Sequence, residues 1–224
     1  MKFNFNIWSI LYITLSLILF FACDKNEKPV NLTVARNEVK QYYESGKYDE
    51  ELNKVIADAK KEFEKVEFKK SAKGRSVVIF DIDETALNNY GLAEQMGFGY
   101  VYEMNKQWNA ELKAPAIPQV KELYEFLLSK GSKIIFLTGR NFYEYEVTYQ
   151  NLVKEGYTVF DTLITQIGDE TKMKAKDFKS GKRVWLTKQG YDIVGTVGDQ
   201  WSDLEGYYHG IQIKIPNYLY LIED

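Results

Sequence analysis

The pattern of apolar and polar positions changes character near Ser76. Before it, from Val34 to about Lys70, Leu, Val and Tyr recur at roughly helical spacing among Glu and Lys. This predicts one or two surface helices, broken at Gly46, that rest an apolar stripe on the domain and keep a charged face in water. After Ser76, short apolar runs alternate with amphipathic stretches. Val77 to Ile82 predicts a first, buried strand, and Ile134-Ile135-Phe136-Leu137 a second, over Lys133 to Thr138. Short strands are expected over Thr162 to Thr165, Ile193 to Val197 and Ile211 to Ile215. Between them, helices are expected from Ile117-Pro118 to Gly131, from about Phe142 to Glu155, and from Ser180 to Gln189, each stopping at a glycine. Gly91 to Leu112 is aromatic and reads as short helices or irregular chain inserted after the first strand.

Strands alternating with helices predict an α/β fold with a parallel sheet covered on both faces. Such sheets bind their ligands at the carboxyl ends of the strands. The 224 residues suffice for one domain with a substantial core. A net charge of −3, with both signs dispersed, gives no basic stripe for nucleic acid. The N-terminus stands apart. An uncharged, largely apolar run from Ile7 to Ala22 is shorter than the ~20 residues of a spanning helix and is read as a signal peptide, residues 1–22. It ends at Cys23, the only cysteine, in a context resembling a bacterial lipobox except that Phe20 stands where Leu is usual. The expectation is lipidation of Cys23, a tether over 23–33, and a domain over 34–224 held outside the cytoplasm at a bacterial membrane.

Chemistry concentrates at the expected strand ends. Asp81 and Asp83 follow Val77-Val78-Ile79-Phe80, two carboxylates where an apolar strand stops. Burying one unpaired carboxylate costs several kcal/mol, and a second nearby drives one of the two toward its protonated form. A metal ion with one ionised and one protonated acid would account for the pair, and would suit transfer of a phosphoryl group to a carboxylate nucleophile. Thr138 and Asp199 fall at the ends of two further strands.

Four motifs stand in order: Asp81-Ile82-Asp83-Glu84-Thr85, Leu137-Thr138-Gly139-Arg140, Phe178-Lys179-Ser180-Gly181-Lys182-Arg183, and Gly198-Asp199-Gln200-Trp201-Ser202-Asp203-Leu204. Together they resemble the haloacid dehalogenase-like superfamily. Within it the chain is similar to the acid phosphatase group that contains plant vegetative storage proteins and bacterial lipoprotein acid phosphatases. Trp108 ahead of Ala114-Pro115-Ala116-Ile117-Pro118, and Lys214-Ile215-Pro216-Asn217 near the end, match the same group. The resemblance implies a Rossmann-like sheet with N-terminal helices and a small aromatic cap at about 86–116.

It also implies roles. Asp81 would be the nucleophile, forming an aspartyl-phosphate. Asp83 would protonate the leaving oxygen and then activate water. Thr138 would bond a phosphate oxygen, with Gly139, Arg140 and backbone N–H groups at a helix start beside it. Arg140 could instead pair with an acid. Lys179 would sit over the phosphoryl group, though Lys176, Lys182 and Arg183 are near enough to compete. Asp81, the backbone carbonyl of Asp83, and Asp199 would hold Mg2+, and Asp203 would ligate it or orient a ligand. The implied reaction is hydrolysis of small phosphate monoesters, nucleoside monophosphates among them. A narrower 5′-nucleotidase and a non-catalytic storage or binding protein are the alternatives. His209 is the only histidine, which disfavours a histidine-nucleophile phosphatase. Tyr90, Phe98, Tyr100, Tyr102 and Trp108 read chiefly as packing, with one or two expected to border the site.

Overall fold

The computed structural model describes residues 29–69 and 75–223. Cys23, the signal peptide over 1–22 and most of the tether lie outside the described residues. Two units are distinguished, Met1–Ala35 and Arg36–Asp224. The first contributes the opening turn of helix α1 (Leu32–Glu44). The second holds the sheet and every other helix among the described residues.

After Gly46 comes α2 (Lys47–Glu64), whose Tyr48, Leu52, Ile56, Ala59 and Phe63 are buried at spacings of three and four. The sheet strands are β1 (Arg75–Phe80), β2 (Lys133–Asn141), β3 (Thr162–Gln166), β4 (Tyr191–Gly198) and β5 (Ile211–Lys214). All neighbouring pairs are parallel, in the order β3-β2-β1-β4-β5. The helices between them are α3 (Tyr90–Gln95), α4 (Tyr102–Ala110), α5 (Pro118–Ser129), α6 (Tyr145–Lys154), α7 (Ala175–Lys188) and α8 (Trp201–Leu204).

Strand periodicity explains why the predicted strands carry unbroken apolar runs. Val78 and Phe80 of β1, with Ile134 and Phe136 of β2, join the core under α2 and α5. Val77, Ile79, Ile135 and Leu137 point the opposite way, onto Phe178 and Leu186 of α7. Both faces are covered, so both sets of alternating positions must be apolar. Gly195 in β4 admits the Phe63 ring, since an added Cβ would lie 2.5 Å from Phe63 Cζ. Several predicted bounds move: β1 stops at Phe80 rather than Ile82, β4 begins at Tyr191 rather than Ile193, and a short 3-10 turn over Phe142–Glu144 precedes α6. The helix expected from Ser180 begins at Ala175, and the strand expected to stop at Thr138 continues to Asn141, paired with Gln166 of β3.

Candidate active site

The strand order changes direction at β1: the chain steps outward to β2 and β3, then returns to β4 on the other side. A crevice opens at the carboxyl ends of strands around such a point. Asp81 follows β1, its backbone N–H donating to Val197 O of β4 at 2.9 Å. Asp199 follows β4, and Asp203 returns from α8, a single turn. All three are buried, and each offers a carboxylate oxygen within 4.8 Å of the others. Lys179 reaches them from α7. Its Nζ donates to Asp81 Oδ1 at 2.5 Å and also to Asp203 Oδ1.

The competing basic residues are engaged elsewhere. Lys176 meets Glu205 at 2.6 Å, Lys182 meets Glu170 at 2.5 Å, and Arg183 donates to the carbonyls of Asp203, Glu205 and Tyr207. The starting point of α7 decides this. Set one turn into the helix, Lys179 faces the sheet ends.

Asp83 differs from expectation. Arg140 Nε donates to Asp83 Oδ2 at 2.9 Å and Nη2 to Oδ1 at 2.6 Å, while Asn89 Nδ2 adds a bond to Oδ1 at 2.9 Å. Burial pushes the Asp83 carboxyl up, but it keeps 30% of its side chain accessible, and the guanidinium and amide outweigh burial and hold it below its usual value. All three contacts are donors, the arrangement that suits Asp83 as an acceptor. Burial, with Asp203 and Asp199 close by, pushes Asp81 well above the ordinary carboxylate range against the pull of Lys179. Burial likewise lifts Asp199 to about 7, helped by Asp203 and Glu84. Burial opposes the Lys179 charge, but Asp203 and Asp81 more than offset it and raise its pKa.

Arg140 thus pairs with an acid. Its backbone N–H bonds Thr138 Oγ1 at 3.2 Å, and the run Thr138-Gly139-Arg140 lies within β2, with a helical turn over Phe142–Glu144, capped by Asn141, starting just beyond it. Thr138, Gly139 and Arg140 nonetheless border the same cavity as Asp81, Lys179 and Asp199, a space of about 680 Å³. Phe98 and Tyr100 form part of its rim. Tyr90 instead stacks on Tyr43 with centroids 4.7 Å apart, and Trp108 Nε1 donates to Asn89 at 3.0 Å.

Several contributors carry no role assigned from sequence. Thr85 donates to Asp199 Oδ1 at 3.1 Å, and Gln200 and Asn217 donate to Oδ2 at 2.6 and 2.7 Å. Buried Glu84 accepts from Tyr220 Oη at 2.5 Å. Thr85, Gln200 and Asn217 lie inside the motifs that carry the resemblance, which was the available signal.

The family model for the HAD superfamily, subfamily IIIB (acid phosphatase), matches residues 22–223. A stem 31 kDa glycoprotein of Glycine max is 41% identical over 66% of this chain and 60% of its own length. The chain thus spans about 60% of that relative. Acid phosphatase 1 of Solanum lycopersicum is 34% identical over 82% of this chain and 73% of its own. Vegetative storage protein 1 of Arabidopsis thaliana is 34% identical over 66% of this chain. A class C acid phosphatase from Bacillus anthracis shares the fold, with a TM-score of 0.67 at 22% identity and 85% coverage of each chain. These relatives overturn the expected localisation at a bacterial membrane, since the curated proteins are from soybean, tomato and Arabidopsis. Among the described residues, no helix is long and apolar enough to cross a membrane. With its parallel sheet, its strand-end acids and this match over nearly its whole length, the chain belongs to subfamily IIIB of the HAD superfamily, the acid phosphatases.

Proposed function

We propose that the protein is a magnesium-dependent acid phosphatase that hydrolyses phosphate monoesters through an aspartyl-phosphate at Asp81. One observation carries the reading: Asp81, Asp199 and Asp203 converge with the Lys179 ammonium on the wall of one cavity. An all-oxygen, wholly buried donor set suits a hard divalent cation, and HAD phosphatases generally use one. Asp81, Asp199, Asp203 and the backbone carbonyl of Asp83 would hold the ion. Bound there, magnesium would supply Lewis-acid stabilisation of charge on the phosphoryl oxygens.

The remaining chemistry belongs to the chain. Asp81 reacts as the carboxylate, the form that Lys179 Nζ at 2.5 Å stabilises against burial: its oxygen attacks phosphorus while the bond to the leaving oxygen breaks and the electron pair stays with that oxygen. At acid pH the ester carries a proton of its own, phosphate having a second pKa near ~6, and this proton passes to the leaving alcohol. Lys179 and the Thr138 hydroxyl hold phosphoryl oxygens, offsetting their repulsion from Asp81. Water then attacks phosphorus, Asp83 takes its proton, and the bond to Asp81 breaks, returning the carboxylate and releasing phosphate. The Arg140 pair favours this base role of Asp83, and proton donation by Asp83 requires that pair to part.

The test is phosphate release from p-nitrophenyl phosphate and from nucleoside monophosphates, with magnesium and with EDTA, by the protein and by Asp81→Asn. Release that needs magnesium and is lost in the variant supports the reading. Full activity in Asp81→Asn sinks the covalent mechanism. No release from any ester, by folded protein, turns the reading to a storage or binding role. Phe98 and Tyr100 at the rim favour a narrower 5′-nucleotidase as second reading, which predicts turnover of nucleotides well above that of the aryl ester.

A further inference from the structure

The segment beyond β5 turns back across the site. Its root is fixed: Ile215 N–H bonds Gly198 O at 2.9 Å, and Tyr48 Oη donates to Pro216 O at 3.2 Å. Asn217 then places its side-chain amide between two partners. Nδ2 donates to Asp199 Oδ2 at 2.7 Å, and Oδ1 accepts Leu219 N–H at 2.8 Å. A backbone N–H can only donate, so Leu219 fixes Oδ1 on its side and leaves Nδ2 facing Asp199. Gln200 repeats the arrangement from the other side. Its Nε2 donates to Asp199 Oδ2 at 2.6 Å and its Oε1 accepts Ile222 N–H at 3.0 Å. Tyr220 closes the circuit through Glu84, whose other oxygen accepts Asn89 N–H at 3.0 Å.

Asp199 therefore has two amide donors on one oxygen, and both amides are themselves held by backbone N–H groups of 219 and 222. Neutral donors fix the Asp199 carboxylate without cancelling its charge, in contrast to Asp81 and Asp203, which share the Lys179 ammonium. Outer contacts of this kind commonly set the affinity of a metal site. Leu221 is 70% exposed and Ile222 44% exposed, so this stretch gives little to the apolar core, and its polar contacts point at the site.

We propose that Asn217 is a positioning residue for Asp199, and that 217–222 is a strap whose hydrogen bonds set the affinity of the site for a divalent cation. This rests on the reading of Asp81, Asp199 and Asp203 as cation ligands.

The test is calorimetric titration of Mg2+ into the full-length protein, Asn217→Ala and Asp199→Asn, with thermal unfolding in EDTA and the magnesium dependence of phosphate release. In Asn217→Ala the Mg2+ Kd rises about 10-fold or more. The magnesium concentration for half-maximal phosphate release rises in step with that Kd, and the variant still unfolds cooperatively in EDTA. A Kd unchanged in Asn217→Ala but raised in Asp199→Asn overturns the strap and leaves the cation reading standing. A wild type that binds no Mg2+ overturns both. Should Asn217→Ala fail to fold, a chain ending at Tyr218 retains Asn217 but loses the N–H groups that orient it and Gln200. Its Kd rises severalfold, and an unchanged Kd overturns the proposal.

Discussion

Lys179 shows how a single side chain is committed by its surroundings. Its ammonium lies between Asp81 and Asp203, both buried, and each contact offsets a charge that would otherwise stand unpaired away from water. Replacement by Met keeps the volume and removes the charge. We expect Lys179→Met to lower kcat by about 10²–10³-fold, the scale of losing one preorganised electrostatic contact to the transferring group. Stability without magnesium should fall by about 3 kcal/mol, because two buried carboxylates lose their partner. Lys182→Met removes a pairing with Glu170 away from the acid cluster and should leave kcat within about 2-fold, as peripheral substitutions do. Steady-state kinetics and urea unfolding of the two variants decide it, and the larger kinetic loss in the Lys182 variant would shift the role to that residue. The acids at strand ends were legible in the sequence because an apolar run cannot end in buried carboxylates without a reason. The pairing of Asp83 with Arg140 was not, since it joins residues 57 apart in sequence across two strand ends. The amides of Gln200 and Asn217 were marked only by their place in the motifs, and that of Asn89 not at all, since asparagine is common in any loop.

At the scale of elements, Gly198 explains how β4 and α8 share one site. A Cβ there would lie 2.5 Å from Asp203 Oδ2 and closer still to Asp203 Cβ. The absence of a side chain lets the single turn of α8 fold Asp203 against the strand end, beside Asp199. Gly198→Ala should push Asp203 out of the cluster and lower kcat/KM by about 10-fold or more, with a stability loss of about 1–3 kcal/mol typical of overpacking. Gly181 in α7 is the control. An added Cβ meets nothing within 4 Å, so Gly181→Ala should leave kinetics unchanged and stabilise the protein by about 0.5–1 kcal/mol through helix propensity. Equal kinetics for both variants would mean that Asp203 tolerates displacement. The alternation of strands and helices was readable because the two-sided sheet demands unbroken apolar runs. The start of α7 was not, because Lys174 at its N-cap makes no side-chain capping bond. The extension of β2 past Thr138 was hidden by Gly139-Arg140-Asn141, a polar stretch that only pairing with β3 holds extended.

At the scale of the whole molecule, the site draws on residues from Asp81 to Ile222 and on both halves of the sheet, so it exists only in the folded chain. A cation that binds there and not to the unfolded chain must stabilise the fold, by about 2.7 kcal/mol at 100 times its Kd. For a chain of this size each kcal/mol raises Tm by about 2–4 °C, so saturating magnesium should raise the midpoint by roughly 5–10 °C over EDTA. The two apolar faces of the sheet do not depend on the ion, and the EDTA-treated protein should keep its secondary structure and unfold cooperatively at the lower midpoint. Sodium chloride at matched ionic strength screens exposed charges but cannot reproduce a bound divalent ion inside a buried cluster. Thermal melts by circular dichroism in EDTA, magnesium and matched sodium chloride, on the protein and on Asp199→Asn, therefore separate specific binding from screening. The shift should be confined to magnesium and to the unaltered protein. An equal rise in Asp199→Asn would place the stabilising ion elsewhere, and the buried acids would then have to be explained by Lys179 and the strap alone.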